Sequence, residues 1–318
     1  MNWKKKLTAC ILVTGTLTTI IYAINKLVNY IATREKLLTA DKDFYYDWRF
    51  GRIYYTKTGD GSPILLVHDL NVTSSGYEWN KIIDTLSKSN TVYTLDLLGC
   101  GRSDKPWLTY TNFLYVQLIT DFIKHNIGKK TNVIASGGSG TFILSACAND
   151  NSVIDKMILI NPKDLISLAK IPTKRTKALQ HLICFPIIGT FLYNILVNKK
   201  TIENDFYHDY FEDKSKITDQ TIMTYFESSQ KEKTHSKFLY ASIVSRFTNA
   251  NIICNLRNLT NSIFIFTGNA DPDNIIAAAQ YQEYLPSIEV IDMDNSKYLP
   301  QMETPREFIE QINILFEL

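Results

Sequence analysis

The sequence predicts an α/β fold, a mostly parallel central sheet flanked by helices. Short apolar runs that are typical of buried strands alternate with segments of helical periodicity, which indicates repeated strand–helix–strand units. A long helical stretch over residues 163–259 interrupts the alternation and predicts an inserted helical cap. An uncharged run near the N-terminus predicts a transmembrane helix ahead of the globular part.

The N-terminal segment, residues 1–36, is predicted to be a membrane anchor and its linker. Residues 4–6 are lysines and precede an uncharged run over residues 7–24, close to the ~20 residues that span a bilayer. These lysines favour a single-pass protein with a cytoplasmic N-terminus and the bulk of the chain extracytoplasmic. Three basic residues on the far side favour the opposite orientation: Lys26, Arg34 and Lys36. A cleaved signal peptide and an amphipathic surface helix are the alternatives.

The globular part, residues 37–318, alternates between strands and helices from residue 44 onward. Strands are predicted over residues 44–50, 52–58, 63–68, 91–97, 131–136, 156–160, 262–267 and 289–292. Helices are predicted over residues 77–86, 112–127, 140–148, 274–284 and 305–316. The cap, about residues 163–259, is expected to cover the carboxyl ends of the strands, where α/β sheets place their sites.

Composition excludes several classes of function. The 318 residues carry a net charge of only +2, with no basic stripe, so no nucleic-acid partner is expected. Five cysteines lie far apart without a metal-binding spacing, and no metal is expected. The glycines at 137, 138 and 140 lack the spacing of a dinucleotide-binding loop, so no cofactor is expected.

Six segments carry a resemblance to one family. They are LLVHDL at 65–70, LDLLGCGRSDKP at 95–106, VIASGGSG at 133–140, ILINP at 158–162, GNAD at 268–271 and YLPQMETPREF at 298–308. In content and order they resemble the conserved segments of capped α/β-hydrolases. The resemblance covers nearly everything from residue 51 to the C-terminus and implies the α/β-hydrolase fold, with a nucleophile, a histidine and an acid as its catalytic triad.

The nucleophile position is unusual. The family places a nucleophile at the centre of G-x-S-x-G on a strand-to-helix turn, and the strand register favours Gly137 at that position. A shift of two residues gives GGSGT, with Ser139 as the alternative nucleophile. Gly137 is the preferred interpretation because the shift gives the preceding strand a poorer apolar pattern.

The other catalytic positions depart from the family as well. Tyr298 stands where the resemblance implies the histidine, and a phenol is a poor base at neutral pH. Asp271 occupies the position of the triad acid, with a turn-forming role as the alternative. The oxyanion-hole region is expected to comprise Asp69, Leu70 and Gly138, and Asp69 replaces the family's glycine. An Asp69 carboxylate directed into solvent is the alternative to one that opposes an oxyanion.

The functional expectation is a membrane-anchored, catalytically degenerate member of the family. The accompanying hypothesis is that it binds a small apolar ligand under the cap or a protein partner, and the apolar cap stretch over residues 182–196 motivates it. The alternative is an active serine hydrolase of carboxylic-ester type that uses Ser139, Asp271 and an atypical base. A third possibility is a non-hydrolytic enzyme on this fold.

Overall fold

The computed structural model describes residues 3–39 and 44–317. Within them, eight strands form one sheet: β1 (Phe44–Trp48), β2 (Gly51–Thr58), β3 (Ser62–Val67), β4 (Asn90–Leu95), β5 (Thr131–Ser136), β6 (Ile154–Ile160), β7 (Ile263–Gly268) and β8 (Glu289–Met293). Their order is β1-β2-β4-β3-β5-β6-β7-β8. β1 and β2 are antiparallel to their neighbours, and the remaining pairs are parallel, so the mostly parallel sheet is confirmed.

Helices cover both faces of this sheet. They are α1 (Trp3–Thr33), α2 (Ile83–Leu86), α3 (Asn112–Phe122), α4 (Gly140–Asn149), α5 (Leu165–Leu168), α6 (Lys174–Cys184), α7 (Ile188–Leu196), α8 (Lys199–Asp205), α9 (Asp219–Thr234), α10 (Ser236–Val244), α11 (Ile253–Arg257), α12 (Pro272–Tyr284), α13 (Pro300–Glu303) and α14 (Pro305–Phe316). Helices α5–α11 lie between β6 and β7, where the cap insertion was predicted.

Most predicted elements are present, with two differences in length. The helix predicted over residues 77–86 is a 3₁₀ turn, Gly76–Trp79, followed by the short α2. The helix predicted over residues 112–127 is α-helical only to Phe122 and ends in a π-helical turn before Gly128, whose positive φ of 71° closes it. Neither irregular end is visible in hydrophobic periodicity, because all these helix types keep apolar residues three to five apart.

The central strands are buried on both faces. Leu65 and Val67 of β3 pack into one apolar cluster, and Ile64 and Leu66 pack into a second cluster on the opposite face. This two-sided burial explains why the strand reads as a continuous apolar run, without the alternation of a half-exposed strand. It also fixes the carboxyl ends of β3, β5 and β6 side by side.

The N-terminal helix α1 is 31 residues long, and the structure contains the long apolar helix that the sequence predicted. In the described part of the chain, the segment Lys6–Thr33 has a mean hydropathy of 1.9 in its most apolar window, which is long and apolar enough to cross a membrane. Its C-terminal half contacts the cap, where Ala32 joins a third apolar cluster with Ile202 and Phe206. The helix is therefore seated on the cap at one end.

Candidate active site

The turn between β5 and α4 forms the centre of the site. β5 ends at Ser136, and Gly137 follows with a φ of +53°, a left-handed conformation that glycine adopts without the steric cost a side chain incurs. Gly137 to Ser139 form one turn of 3₁₀ helix that leads into α4. The structure thus places Gly137 at the bend over the strand ends.

The Asp69 carboxylate lies directly above this bend. Its Oδ1 accepts a hydrogen bond from the Gly138 backbone N–H at 2.8 Å, and its Oδ2 accepts one from the Tyr298 hydroxyl at 3.1 Å. A Cβ built on Gly137 would collide with both the Asp69 carboxylate and the Tyr298 hydroxyl. The space that a side chain at this bend would enter is therefore already filled, and the solvent-directed alternative for Asp69 is wrong.

Burial controls the electrostatics around Asp69. Burial raises the pKa of the Asp69 carboxyl above its ordinary value, although hydrogen bonds from Gly138, Tyr298 and Leu70 and the nearby Lys163 charge oppose that rise. The pKa of Tyr298 lies well above its ordinary value because the ring is buried and faces this carboxyl. Tyr298 therefore remains a neutral phenol that donates a hydrogen bond and cannot serve as a base near neutral pH.

A second carboxyl, Glu78, lies beneath the first. Its Oε2 accepts the backbone N–H of Asp69 at 3.3 Å, and its Oε1 accepts the side-chain amide of Gln301 at 2.8 Å. Complete burial and the neighbouring Asp69 charge raise the pKa of Glu78 to about 8. At neutral pH Glu78 is predominantly protonated, which removes a second negative charge from the site.

The cap closes over Tyr298. Tyr210, at the end of a π-helical turn after α8, stacks on the Tyr298 ring with centroids 5.4 Å apart and planes 22° apart. The Tyr210 hydroxyl also accepts a hydrogen bond from the Asn71 side chain at 3.4 Å. The position at which the sequence resemblance implies a histidine is therefore a packed aromatic pair.

The remaining sequence-predicted residues lie apart from this cluster. The hydroxyl of Ser139 is fully buried and donates to the backbone carbonyl of His68 at 2.7 Å, away from the bend. Asp271 caps the N-terminus of α12, where its Oδ1 accepts the Asp273 backbone N–H at 3.0 Å. Neither side chain has a hydrogen bond to Tyr298 among the described contacts.

Buried polar contacts connect the loops around the site. His68 is buried, and burial lowers its pKa to about 4, so its neutral ring accepts the Leu97 N–H through Nε2 and donates from Nδ1 to the Asp69 carbonyl. Burial raises the pKa of Asp96, but the adjacent Arg102 guanidinium outweighs it and lowers that pKa to about 2. These contacts hold the loops after β3 and β4 in fixed positions.

A cavity of about 490 Å³ opens beside the cluster. Asp69, Gly138 and Tyr298 form one end, and the loop after β6 contributes Lys163, whose pKa is lowered by burial. Its remaining wall combines apolar and amide side chains from α4, α5, the cap and α12: Phe142, Leu168, Ile243, Asn249, Ile276 and Gln280. Among the described residues, no group of three or more His, Cys, Asp or Glu side chains is placed to hold a metal ion.

Comparison with known proteins identifies the fold and family. Residues 64–311 match the alpha/beta hydrolase family, which is well over half of the chain. This chain is a member of the alpha/beta hydrolase family. A meta-cleavage product hydrolase from Pseudomonas fluorescens IP01 superposes with a TM-score of 0.66 at 17% identity, over 84% of this chain and 94% of that chain.

Two further relatives match very different shares of this chain. The 2-hydroxy-6-oxo-6-(2'-aminophenyl)hexa-2,4-dienoic acid hydrolase of Metapseudomonas resinovorans is 26% identical over 115 residues, 35% of this chain and 39% of that protein. The match thus spans about two fifths of that relative. The structure of a membrane phospholipase A covers 99% of this chain and 98% of its own, with a TM-score of 0.67 at 16% identity.

Family membership gives the Gly138 hydrogen bond a specific meaning. In an alpha/beta hydrolase, the backbone N–H of the residue after the nucleophile helps to form the oxyanion hole, together with an N–H from the loop after the third strand. Gly138 is the residue after the bend, and Leu70 lies in that loop. Both backbone groups interact with the Asp69 carboxylate.

Sequence reasoning missed three residues of the site: Glu78, Tyr210 and Lys163. Glu78 lies between two aromatic residues, Tyr77 and Trp79, and an acid in such a segment is a signal of a buried carboxyl. Tyr210 and Lys163 carry no comparable signal, because cap and loop side chains reach the site only through the tertiary fold.

Proposed function

We propose that this chain is a membrane-anchored alpha/beta hydrolase family protein that has lost hydrolytic activity and binds a small molecule in the cavity beside Asp69. The observation that carries the loss of activity is the position of the Asp69 carboxylate. It accepts the Gly138 N–H that would otherwise stabilise a developing oxyanion. The Asp69 oxygen that accepts this N–H already occupies the position in which an oxyanion would have to form.

The triad positions support the same proposal. A nucleophile needs an oxygen or sulfur at the bend, and Gly137 provides neither. The Tyr298 hydroxyl donates a hydrogen bond to Asp69, and this position holds a phenol and no imidazole that could relay a proton. Removing one oxyanion-hole donor typically costs about 10²–10³ in rate, and removing triad members costs about 10⁶. Hydrolysis at a useful rate is therefore not expected.

The membrane part of the proposal depends on α1. Residues 7–24 extend about 27 Å as a helix, close to the ~30 Å hydrocarbon thickness of a bilayer. The phospholipase structure that aligns with 99% of this chain is described as a membrane protein, which supports the same role here. We place the N-terminus in the cytoplasm and the bulk of the chain outside it, because lysines 4–6 precede the run.

The cavity suggests the type of ligand. Its walls carry apolar side chains, including Phe142, Leu168 and Ile276, whereas Asp69 and Lys163 supply charge at one end. This arrangement fits a small, mainly apolar molecule with one polar head. A protein partner is not specified by any described surface around the cavity.

Fluorophosphonate labelling tests the loss of activity. Full-length protein in detergent micelles is incubated with the probe and with short-chain aryl esters, and the intact mass is measured. We expect no adduct and no hydrolysis above background. An adduct on the parent that disappears in Ser139→Ala would establish the active serine hydrolase instead.

A matched pair of substitutions on α12 tests the ligand proposal. Ala277 is buried and lines the cavity, whereas Ala279 is exposed on the same helix and does not line it. Native mass spectrometry of protein released from cell-derived membranes measures co-purified small molecules. We expect an adduct on the parent and on Ala279→Phe that is lost in Ala277→Phe. Equal adducts in both variants, with equal melting temperatures, would contradict a ligand in this cavity.

A further inference from the structure

Helix α1 has two halves with different surroundings. From residue 6 to Leu17 its described side chains are exposed, so this half makes no contact that buries it in the domain. From Thr18 onward, residues at helical spacing become half-buried or buried on one side: Thr18, Ile21, Asn25, Val28, Asn29 and Ala32. The point at which the helix leaves the domain is therefore defined to within about one turn.

A buried amide network fixes the second half of α1 to the cap. The Asn25 side chain donates to the Ile187 carbonyl at 2.9 Å and accepts from the Asn194 amide at 3.0 Å. The Gln230 side chain of α9 donates to Asn194 at 3.1 Å, and the Gln230 backbone carbonyl accepts from the Asn29 side chain. Because breaking buried amide pairs leaves unsatisfied polar groups, the network holds the helix at a fixed position relative to the cap.

The contacts of Asn25 also fix the position of the start of α7 along α1. Ile187 and Asn194 lie two helical turns apart on the cap, yet both bond to this single residue of α1. The start of α7 therefore lies at the level of Asn25, directly after the apolar run of residues 7–24.

The corner between α6 and α7 lies at this level and exposes apolar side chains. The helical segments Lys174–Cys184 and Ile188–Tyr210 meet at 106°. At their junction Leu182 is 49% exposed, Phe185 is 57% exposed and Ile188 is 46% exposed. Three large, exposed apolar side chains at one corner form a patch of the kind that contacts a membrane or another protein.

Basic groups flank the corner. Lys26 and Lys233 line a crevice between α1 and the cap, together with Tyr22 and Ile187. Lys237 is buried behind the corner, where its ammonium donates to the Phe185 carbonyl and the Thr190 hydroxyl. An apolar surface with ammonium groups beside it matches the boundary between acyl chains and anionic headgroups.

We propose that the α6–α7 corner, defined by Leu182, Phe185 and Ile188, inserts into the interfacial layer of an anionic phospholipid bilayer. This inference rests on the membrane anchorage proposed above. The apolar run of α1, residues 7–24, crosses the hydrocarbon, and the amide network at Asn25, directly after this run, holds the corner against the membrane surface beside the emerging helix. The cap is thereby a second membrane contact, and α1 is not a loose tether.

Quenching by brominated lipids tests this contact in the full-length protein. Phe185→Trp is reconstituted into vesicles of phosphatidylcholine and phosphatidylglycerol, with bromine on the upper acyl chain. The matched control is Ile314→Trp. Ile314 is exposed on α14, a helix that packs on the sheet face formed by Ile64 and Leu66. The parent protein contains four tryptophans, and its fluorescence is subtracted from that of each variant. We expect the tryptophan at 185 to be quenched at least about twofold more than that at 314.

Equal quenching at 185 and 314 would overturn the inference, and Leu182→Trp repeats the comparison if Phe185→Trp fails to fold. A carbonate wash of the same vesicles reports on α1 separately. Protein that resists the wash but shows equal quenching keeps its anchor and lacks the cap contact. Protein that is washed off yet shows stronger quenching at 185 beforehand has the cap contact and lacks the spanning anchor.

Discussion

Replacing Glu78 with glutamine tests the electrostatics of the buried carboxyl pair. Burial and, second to it, the neighbouring Asp69 raise the pKa of Glu78 from its ordinary 4.5 to about 8 in the folded protein. The folded state therefore holds a proton that the unfolded state releases between these values, and stability falls as pH rises through this window. At 1.36 kcal/mol per pKa unit, the loss reaches about 5 kcal/mol above pH 8. Since Glu78→Gln cannot ionise, its stability should change far less between pH 5 and pH 8.5.

Urea unfolding in detergent micelles, followed by the fluorescence of the adjacent buried Trp79, measures this effect. The parent should lose stability towards pH 8.5, and Glu78→Gln should exceed it there by up to about 5 kcal/mol. At pH 5 the two should agree within about 1 kcal/mol, because the amide oxygen of the variant still accepts the Asp69 N–H, and its NH₂ donates to the Gln301 side-chain oxygen once the Gln301 amide turns over. Glu310→Gln, at an exposed position of α14, serves as the control. A parent and a Glu78→Gln variant with parallel pH profiles would refute the reasoning.

Two further predictions follow from packing. Gly137→Ala should lower stability by roughly 2–4 kcal/mol, because its φ is positive and its Cβ collides with two polar groups. Gly138→Ala should cost less, since its Cβ meets Asp69 at an ordinary 3.5 Å, and equal melting temperatures would contradict this account. Cys100 should resist maleimide in the folded protein because it is buried and burial raises its pKa, whereas exposed Cys254 should react. Peptide mass mapping measures the maleimide labelling of both cysteines, and rapid labelling of Cys100 would argue against the packing described.

The sheet was predictable because strand and helix signals are local. The apolar runs of β3 and β6 and the family segments around them report burial within six or seven residues of sequence. The same segments placed Gly137 and Tyr298 at their family positions. The bond between Asp69 and Tyr298 was not predictable, because it joins residues 229 positions apart and depends on where each side chain points.

The N-terminal helix illustrates the same limit. Its length and apolar character were readable from composition, but the sequence does not reveal that Asn25 and Asn29 bond to the cap. In the sequence, both asparagines only interrupt an apolar segment, and their hydrogen bonds become visible once the partner helices α7 and α9 are in place. Polar residues within an apolar segment acquire a meaning only from their tertiary partners.

The retained fold and the altered site have a common physical basis. The sheet depends on apolar burial, which none of the altered residues supplies, so the scaffold tolerates their change. Asp69 and Tyr298 satisfy each other and the Gly138 N–H, which leaves the bend with a complete hydrogen-bond network. The departures from the family are therefore mutually compensating and form one unit.

The most direct test of this unit introduces the residues that the family resemblance implies at these positions, one step at a time. Gly137→Ser alone should remain inert to fluorophosphonate, because Asp69 and Tyr298 fill the space its side chain needs. The triple variant Asp69→Gly, Gly137→Ser and Tyr298→His should gain one probe adduct at residue 137, measured by intact mass and peptide mapping. An adduct on Gly137→Ser alone, at the rate of the triple variant, would contradict the claim that the Asp69 carboxylate and the Tyr298 hydroxyl occupy the catalytic position.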